Sequence, residues 1–545
     1  MKRLFINIYI VLLVATLGCT SQTGQVVYPE PDFANVELSS SSALVEREGG
    51  VKEIFVSTNR EQWSVECVAD WVDISIDGNS LTIYVDENTT DALRLAVIDV
   101  VAGSEPDTCK ARFKLTQLGD NALDLSATAT ANCYICPTLT TIKFRADVKG
   151  NGLKDGRSRY MAIYDSKIKD ASYADVVWEA TYDGDKSRSV RIIDSTPIYS
   201  AEDGYIYLRT GDIEGNALVA VYDGIGKLLW SWHLWVSDSK IEHSTANGLE
   251  WMDRNLGALT NQMDDVSNRG MLYQWGRKEP FLPSPAEYVA MPTHSYDENY
   301  NLTESEEEYA AIQAEIMANR VKVNINNTQT GDGEYEWQYV GYSAPVALNA
   351  PGNIEYALEH PTTLLACRTD IAIGEYVFDW YMQQDLVNTS GVMMQSDSAL
   401  WGEAVLGTDY KTIFDPCPPG YCVPPQGAFG KVPAEYACSY VSDQWTKEAY
   451  GWRWIGGNGD FFPSVGNFDV SGLIGETSEK MLYWTAESFG NGAAGYGKAA
   501  TLFVAFNDIY YGIYPLLDPT IAESWYSYGA RAYGASVRCV REQKK

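Results

Sequence analysis

The sequence predicts a multidomain, mainly β-rich protein with an N-terminal β-sandwich, a second β-rich domain and a C-terminal mixed α+β domain. Three observations predict this class. The chain has 545 residues, of which 45% are hydrophobic, which is enough for several cores. Up to residue 238, short alternating apolar runs are separated by turn residues. From residue 241 onward, helix-like and strand-like patterns are interleaved.

Residues 34–120 have the pattern of a small β-sandwich. Trp63, Val65 and Cys67 alternate with polar neighbours, and Ile54-Phe-Val56 is a continuous apolar run. Turn sequences such as Asp77-Gly78-Asn79 separate these segments. Several short strands at this spacing favour two packed sheets.

Residues 121–238 predict a second β-rich domain with one clear hairpin. Ala217-Leu-Val-Ala-Val221 and Leu228-Leu-Trp230 flank a Gly224–Gly226 turn. Alternation places Trp230 and Trp232 on one face and Trp235 on the other. A sugar-binding platform is one interpretation of this strand, but we favour burial in the core because that is the commoner fate of such aromatic residues.

Residues 241–545 contain the helical signals. Ser305-Glu306-Glu307-Glu308 is a capping-box pattern that predicts a helix. Residues 288–351 around it have the character of an insertion. Pro416-Cys-Pro-Pro-Gly420 predicts a rigid turn, since proline fixes φ and glycine allows a reversal.

The first 19 residues predict a signal peptide. Lys2 and Arg3 precede an apolar stretch, Leu4 to Thr16, which is too short for a comfortable membrane span. Leu17-Gly18-Cys19 looks like a bacterial lipobox, which implies cleavage before Cys19 and diacylation of its thiol. An ordinary signal peptide with a chance cysteine is the alternative. Residues 20–33 then form a polar tether. The resemblance implies an outer-membrane lipoprotein and leaves open whether it faces the periplasm or the cell surface.

The charge balance limits the class of partner. A formal net charge of −32 argues against nucleic acid, because no surplus of basic residues is available to neutralise phosphates. The expected partners, a carbohydrate or a surface protein, with the membrane contacted through the lipid anchor, are what the family resemblances described below imply.

Two segments resemble known families. WMDRNLGA from Trp251, YQWGRKEPF from Tyr273, KTIFDPCPPGYCVPP from Lys411 and YGASVRCVRE from Tyr533 together resemble the Fibrobacter succinogenes major paralogous domain, a module of bacterial surface lipoproteins. The end of the chain also has the cadence of C-type lectin-like folds, an analogy of fold only. Residues 34–120, with Trp63-Ser-Val, Trp71-Val-Asp-Ile-Ser75 and Lys114-Leu-Thr-Gln-Leu-Gly119, resemble a BACON domain. This resemblance implies an immunoglobulin-like module that binds carbohydrate or serves as a spacer.

The cysteines fit an oxidising compartment. Cys417 and Cys539 lie inside the family-like motifs, and we expect them to form a disulfide. Cys67 and Cys109 could bridge the first domain, and Cys422 could pair with Cys438. The pairing stays open for all the remaining cysteines, which are Cys67, Cys109, Cys133, Cys136, Cys367, Cys422 and Cys438. No spacing makes a zinc site.

Catalytic patterns are weak. The chain has no Walker loop, no nucleophile elbow and no H-E-x-x-H pair. His233 and His360 are expected to be structural, and Glu279-Pro280 lacks the amide of a lectin calcium motif. We therefore expect no enzyme, cofactor or metal, although the many carboxylates leave a glycosidase open.

Two functional classes follow from these observations. The first is a lipid-anchored, noncatalytic cell-envelope protein that binds glycans or mediates adhesion. The second is a structural or assembly subunit of a surface complex or fimbria-like polymer. For the first class, the segment from Glu487 to Ala530 is predicted to be an aromatic binding loop. Inward packing of its aromatic residues is the alternative. The candidate residues are Tyr510, Tyr511, Trp525 and Tyr526, with Asp508, Asp518 and Glu523 as hydroxyl partners.

Overall fold

A computed structural model gives the structure of the chain. It describes residues 33–543 with internal gaps; the gaps are 91–92, 105, 120, 153–165, 182–191, 284–321, 330–334, 340–352, 366–379, 381–386, 389–390, 393–399, 403–410, 426–427, 430–444, 449, 469–473, 476–480, 489–497, 507–521 and 532. Cys19, the tether, the Ser305 capping box, Cys367 and Cys438 lie outside the described residues. The chain divides into two compact units, one drawn from Met1–Ser42, Val51–Tyr84 and Ala96–Lys114, the other from Ala43–Gly50, Val85–Leu95 and Leu115–Lys545.

The N-terminal strands form two four-stranded sheets. Their bounds are β1 (Val36–Leu38), β2 (Ser42–Val45), β3 (Gly50–Thr58), β4 (Trp63–Cys67), β5 (Val72–Asp77), β6 (Ser80–Val85), β7 (Arg94–Ser104) and β8 (Asp107–Gln117). The strand orders are β1-β3-β6-β5 and β2-β8-β7-β4. In β7, Ala96, Ile98, Val100 and Ala102 are buried while the residues between them are not. This period of two gives each sheet one buried face, as the sequence predicted.

The next eight strands build the second β-rich region. They are β9 (Leu123–Asp124), β10 (Cys133–Cys136), β11 (Thr141–Arg145), β12 (Tyr173–Ala180), β13 (Ile198–Ser200), β14 (Tyr205–Arg209), β15 (Gly215–Tyr222) and β16 (Leu228–Val236). Strands β15 and β16 pair antiparallel, so the predicted hairpin is confirmed. One sheet has the order β13-β14-β11-β9, and the other begins β10-β16-β15-β12.

The remaining elements are mostly strands. They are β17 (His243–Ala246), β18 (Leu249–Met252), β19 (Leu272–Gln274), β20 (Lys322–Gln329), β21 (Tyr335–Tyr339), β22 (Val387–Asn388), β23 (Gly391–Val392), β24 (Tyr421–Cys422), β25 (Thr446–Glu448), β26 (Gly451–Arg453), β27 (Phe461–Pro463), β28 (Asn467–Phe468), β29 (Ile474–Gly475), β30 (Met481–Ser488), β31 (Lys498–Phe506), β32 (Ala522–Ala530), β33 (Gly534–Ser536) and β34 (Val540–Arg541). Among the described residues, regular helix is confined to α1 (Asn353–Glu359) and a 3-10 turn at Val266–Asn268. The mixed α+β prediction for 241–545 is therefore not supported where the chain is described, because its short apolar segments pair as strands.

These strands join four further groupings. The sheet orders are β17-β18-β34-β24, β25-β26-β27, β22-β23, and β29-β28-β33-β30-β31-β32 with β19 paired to β33. Strands β20 and β21, from the segment that has the character of an insertion, extend the sheet of β10, β16, β15 and β12. The chain is thus mainly β-rich, as predicted.

One hydrophobic core runs through the second unit. It contains Trp230, Trp232 and Trp235 of β16 together with residues such as Met252 and Trp275. All three tryptophans of β16 are buried, so the interpretation as core is confirmed and this strand offers no exposed platform. The core is continuous across residues 238–241, where the sequence suggested a domain boundary.

Within the described residues, no helix is both long enough and apolar enough to cross a membrane.

Candidate ligand-binding surface

The aromatic residues chosen from sequence lie partly outside the described residues. Tyr510 and Tyr511 lie outside the described residues. Trp525 and Tyr526 are consecutive in β32, opposite Phe503 and Leu502 of β31.

The predicted loop from Glu487 to Ala530 is wrong for 498–506 and 522–530, which are the paired strands β31 and β32. Of the glycines and prolines that predict a loop, Gly512, Pro515 and Pro519 lie between the two strands in sequence, whereas Gly529 lies within β32. The loop predicted for residues 487–530 therefore extends over segments that are strands.

The YQWGRKEPF motif forms a buried ionic centre rather than an accessible site. Lys278 Nζ lies 2.9 Å from Glu279 Oε1, and Arg277 Nε lies 3.2 Å from Glu279 Oε2. Lys278 also donates to Ser231 O at 2.9 Å and to Ser231 Oγ at 2.7 Å. Burial lowers the pKa of Lys278, whereas for Glu279 burial is outweighed by Lys278 and Arg277, which lower its pKa. All three ionised groups are only 1% exposed, so their contacts hold the fold.

The KTIFDPCPPGY motif is likewise used internally. Lys411 Nζ donates to the carbonyl oxygens of Cys417, Pro418 and Tyr421 at 2.7, 2.9 and 2.7 Å. Asp415 accepts from the backbone N–H of Cys417 at 2.8 Å, and burial raises the pKa of Asp415 to about 6. The motif is a rigid, cross-braced turn.

The expected Cys417–Cys539 disulfide is present in the structure, with an S–S distance of 2.05 Å. Cys67 and Cys109 are free thiols, so the bridge considered for the first domain is not formed. They lie on β4 and β8, and β7 separates those strands in the sheet. Two interstrand spacings, about 9–10 Å, exceed the usual Cα separation of a disulfide.

His233, Cys133 and Cys136 are buried, and burial shifts the pKa of each from its ordinary value. His233 is buried, its Nε2 donates to Asn216 Oδ1 at 2.8 Å, and burial lowers its pKa to about 3. Cys133 and Cys136 are buried free thiols of β10, and burial raises the pKa of each. Among the described residues, no group of three or more His, Cys, Asp or Glu could hold a metal ion.

An exposed aromatic face occurs instead on the first unit. We define the aromatic face as the outward side of β3 and β6, whose members alternate with buried residues; they are Val51, Glu53, Phe55, Ser57, Ser80, Thr82 and Tyr84. Phe55 is 59% exposed and Tyr84 is 48% exposed. Ile54 and Val56 on either side of Phe55 are buried, which fixes the outward direction of its ring.

Polar groups accompany these rings. Ser80 Oγ donates to Glu53 Oε1 at 2.5 Å, which orients a carboxylate on the same face. Backbone bonds hold the two strands together, including Val56 N–H to Asn79 O at 2.9 Å. The face therefore combines flat apolar rings with fixed hydrogen-bonding groups on a rigid sheet.

The other sheet of this sandwich has a different surface. Asp99 is bonded by Arg112 Nε at 2.8 Å and by Lys110 Nζ at 3.3 Å, and Lys110 also reaches Glu66 at 3.0 Å. Hydrogen bonding from Arg112 lowers the pKa of Asp99 to about 2. These charges satisfy one another, so this surface has less to offer a polar ligand than the aromatic face.

The sequence contained a signal for the aromatic face. Ile54-Phe-Val56 is a continuous apolar run in the sequence. A strict period of two through Ile54 and Val56 would have placed Phe55 outward, and the same period through Leu81, Ile83 and Val85 would have done so for Tyr84.

Part of this unit matches a known family model. Residues 61–118 match the BACON family model, described as "Putative binding domain, N-terminal". Tyr84 lies inside the matched range and Phe55 shortly before it. The Fibrobacter paralogous domain remains a resemblance. No curated protein matches the chain.

Several solved structures are similar to parts of the chain. A protein from Bacteroides thetaiotaomicron is 19% identical, covering 18% of this chain and 98% of its own, with a TM-score of 0.15. The titin Ig tandem domains A164-A165 are 12% identical over 37% of this chain and 97% of theirs, with a TM-score of 0.13. A SusE-like surface located polysaccharide binding protein from the Bacteroides thetaiotaomicron heparin utilisation locus is 12% identical over 39% of this chain and 36% of its own, also at 0.13. These scores are low, so the likenesses establish neither the fold of the whole chain nor a ligand.

Proposed function

We propose that this protein is a noncatalytic, lipid-anchored protein of the bacterial cell envelope that binds glycans through the aromatic face of its N-terminal unit. The single observation that carries the proposal is the pair of exposed rings, Phe55 and Tyr84, on adjacent strands of a domain whose matched family is described as a binding domain.

Carbohydrate is the ligand class that this chemistry favours. The C–H-rich face of a pyranose ring packs on an aromatic ring, which suits partly exposed aromatic side chains. Carboxylates and hydroxyls such as Glu53, Ser57 and Thr82 would bond the sugar hydroxyls at the rim.

The proposed anchor rests on the signal-peptide pattern and Cys19. Cys19→Ala should move the protein from the membrane fraction to the soluble fraction, because no acyl chains could then be attached. Unchanged membrane partition of that variant would contradict the anchor without bearing on glycan binding. The proposal places the protein in the outer membrane, on either face.

Glycan binding is tested with the soluble chain beginning at Thr20. A glycan array identifies a ligand, and calorimetry then compares Phe55→Ala and Tyr84→Ala with the wild type. Each substitution should weaken binding at least about tenfold, which corresponds to about 1.4 kcal/mol. Val97→Ala is the matched control, because Val97 is 37% exposed on the other sheet. A ligand that binds both aromatic variants as well as the wild type would place the site elsewhere.

A second candidate is an assembly subunit that receives or donates a β-strand. Strand β32 ends its sheet order, and within the described residues nothing pairs with its far edge. A nine-residue terminal strand offers a row of backbone groups for strand addition. Concentration-dependent polymerisation that Ser527→Pro abolishes would favour this function, whereas a monomer at all concentrations would contradict it.

A further inference from the structure

A buried arginine near the end of the chain has no carboxylate partner. Arg538 is 1% exposed. Its Nε and Nη2 both donate to Asn255 Oδ1, at 3.1 and 3.0 Å, and its Cζ lies 3.7 Å from the centroid of the Phe462 ring. In the described part of the chain, Nη1 has no hydrogen-bond partner. A neutral amide oxygen is thus its direct acceptor.

Two other buried arginines of this unit have a carboxylate at contact distance. Arg254 Nη2 lies 2.9 Å from Asp253 Oδ2, and Arg277 Nε lies 3.2 Å from Glu279 Oε2. For Arg538, no ion pair occurs among the described residues. Asp253 is already engaged with Arg254, and Asp460 accepts from Ser244 Oγ. Burial lowers the pKa of Arg538, which reflects the cost of holding a guanidinium charge away from water.

Two buried serine hydroxyls lie on segments that are joined to this arginine by hydrogen bonds and strand pairing. Ser464 Oγ and Ser536 Oγ are fully enclosed and have no hydrogen-bond partner among the described residues. Ser536 pairs with Tyr483 across the sheet. The hydroxyl of Tyr483 donates to Pro463 O at 3.1 Å and accepts from Asn255 Nδ2 at 2.8 Å. The network thus links the segment of each serine to Arg538 through Tyr483 and Asn255.

We propose that this network binds a small monovalent inorganic anion of the chloride class, held by Arg538 Nη1 and by the hydroxyls of Ser464 and Ser536. Buried polar groups are almost always paired with protein, water or an ion. Three donors with one uncompensated positive charge match an anion better than a water molecule, because an anion satisfies the donors and also neutralises the guanidinium. Water would leave the charge in place.

Crystals of the chain from Thr20, soaked in sodium bromide, provide the direct test. An anomalous bromide peak within hydrogen-bond distance of Arg538 Nη1 is expected. An ordered water at that position, or no density, would overturn the proposal.

Thermal melting in sodium chloride and in sodium gluconate at equal ionic strength gives a second readout. Chloride should raise the Tm of the wild type, because a ligand of the folded state stabilises it. Ser464→Ala and Ser536→Ala should lose part of that rise and melt below the wild type in chloride. Ser57→Ala, on the exposed aromatic face, should keep the full rise.

The sign of the serine effect separates an anion site from two unpaired hydroxyls. Removing a buried hydroxyl that bonds nothing is neutral or stabilising. If both serine variants melt at or above the wild type in chloride and gluconate alike, the proposal is wrong. This test does not depend on an Arg538 variant that folds poorly.

Discussion

Removal of the Cys417–Cys539 disulfide is the perturbation whose magnitude follows most directly from the structure. The two cysteines are 122 residues apart in sequence. For a closed loop of that length, the chain-entropy model gives about 5 kcal/mol of stabilisation through restriction of the unfolded chain. Native bridges typically contribute roughly 2–5 kcal/mol. Both cysteines are fully buried, so replacement by alanine also leaves two small voids, and we expect the loss to lie toward the upper end.

The assay is urea unfolding of the Cys417→Ala, Cys539→Ala double variant beside the wild type. The free energy of unfolding should fall by about 4–5 kcal/mol. Cys67→Ala is the matched control, since that thiol is free and only half-buried, and it should change stability by less than about 0.5 kcal/mol. A double variant within about 1 kcal/mol of the wild type would refute the reasoning. Peptide mapping without reduction that linked Cys417 to Cys422 would refute the pairing itself.

Three further predictions concern the second unit. The pKa of Asp415 is raised from 3.8 to about 6 in the folded protein, so folding favours the protonated carboxyl. The stability that this gives is present at low pH and is lost as pH rises from about 4 to 6. The pKa of His233, lowered from 6.5 to about 3, has the opposite effect, so its contribution to stability is lost as pH falls from about 6.5 to about 3. We expect the urea midpoint to fall more steeply with decreasing pH, between pH 6.5 and 4, in Asp415→Asn than in the wild type. In His233→Gln it should fall less steeply. Lys278→Met should cost about 3–5 kcal/mol in urea unfolding, because the buried Glu279 loses an ion-pair partner. Gly257→Ala should lower the Tm, because a Cβ there would lie 2.7 Å from Met271 Cγ at a φ of +85°.

Each of these has a control within the chain. Lys240→Met tests the ion pair, because Lys240 is 82% exposed and its loss should be within about 0.5 kcal/mol of neutral. Gly248→Ala tests the packing clash, because Gly248 has a φ of +76° with nothing within 4 Å of its Cβ position. Equal losses at the two glycines would mean that backbone strain, not crowding, sets the effect. Parallel pH profiles for the two titration variants would contradict the opposite signs.

Local patterns predicted local structure well. The period of two in β7 and the Gly224–Gly226 turn between β15 and β16 are properties of a few adjacent residues, so the sequence contains them directly. The disulfide came from motifs that resemble a family rather than from spacing. The absence of a Cys67–Cys109 bond depends on strand order, which places β7 between them and has no local signature.

The aromatic face is also hard to predict, because it depends on how the strands are arranged in the fold. Tyrosine and tryptophan density drew attention to residues 487–530, but density does not tell which side of a strand a ring takes. A period of two through Ile54 and Val56 places Phe55 outward only if one face of the sheet is open, and the apolar run Ile54-Phe-Val56 fits a strand buried on both faces equally well. The joining of β20 to β12 is a long-range pairing that no window along the chain reveals.

The position of β34 affects how this protein can be made. Strand β34 pairs with β18 on one side and with β24 on the other, and Trp251 lies opposite Val540. Contacts between residues so distant in sequence make folding slow. During synthesis, Trp251 therefore emerges long before its partner strand β34 has been made. Newly made chains therefore expose that surface for an extended time, and a holding chaperone should increase the yield of folded protein.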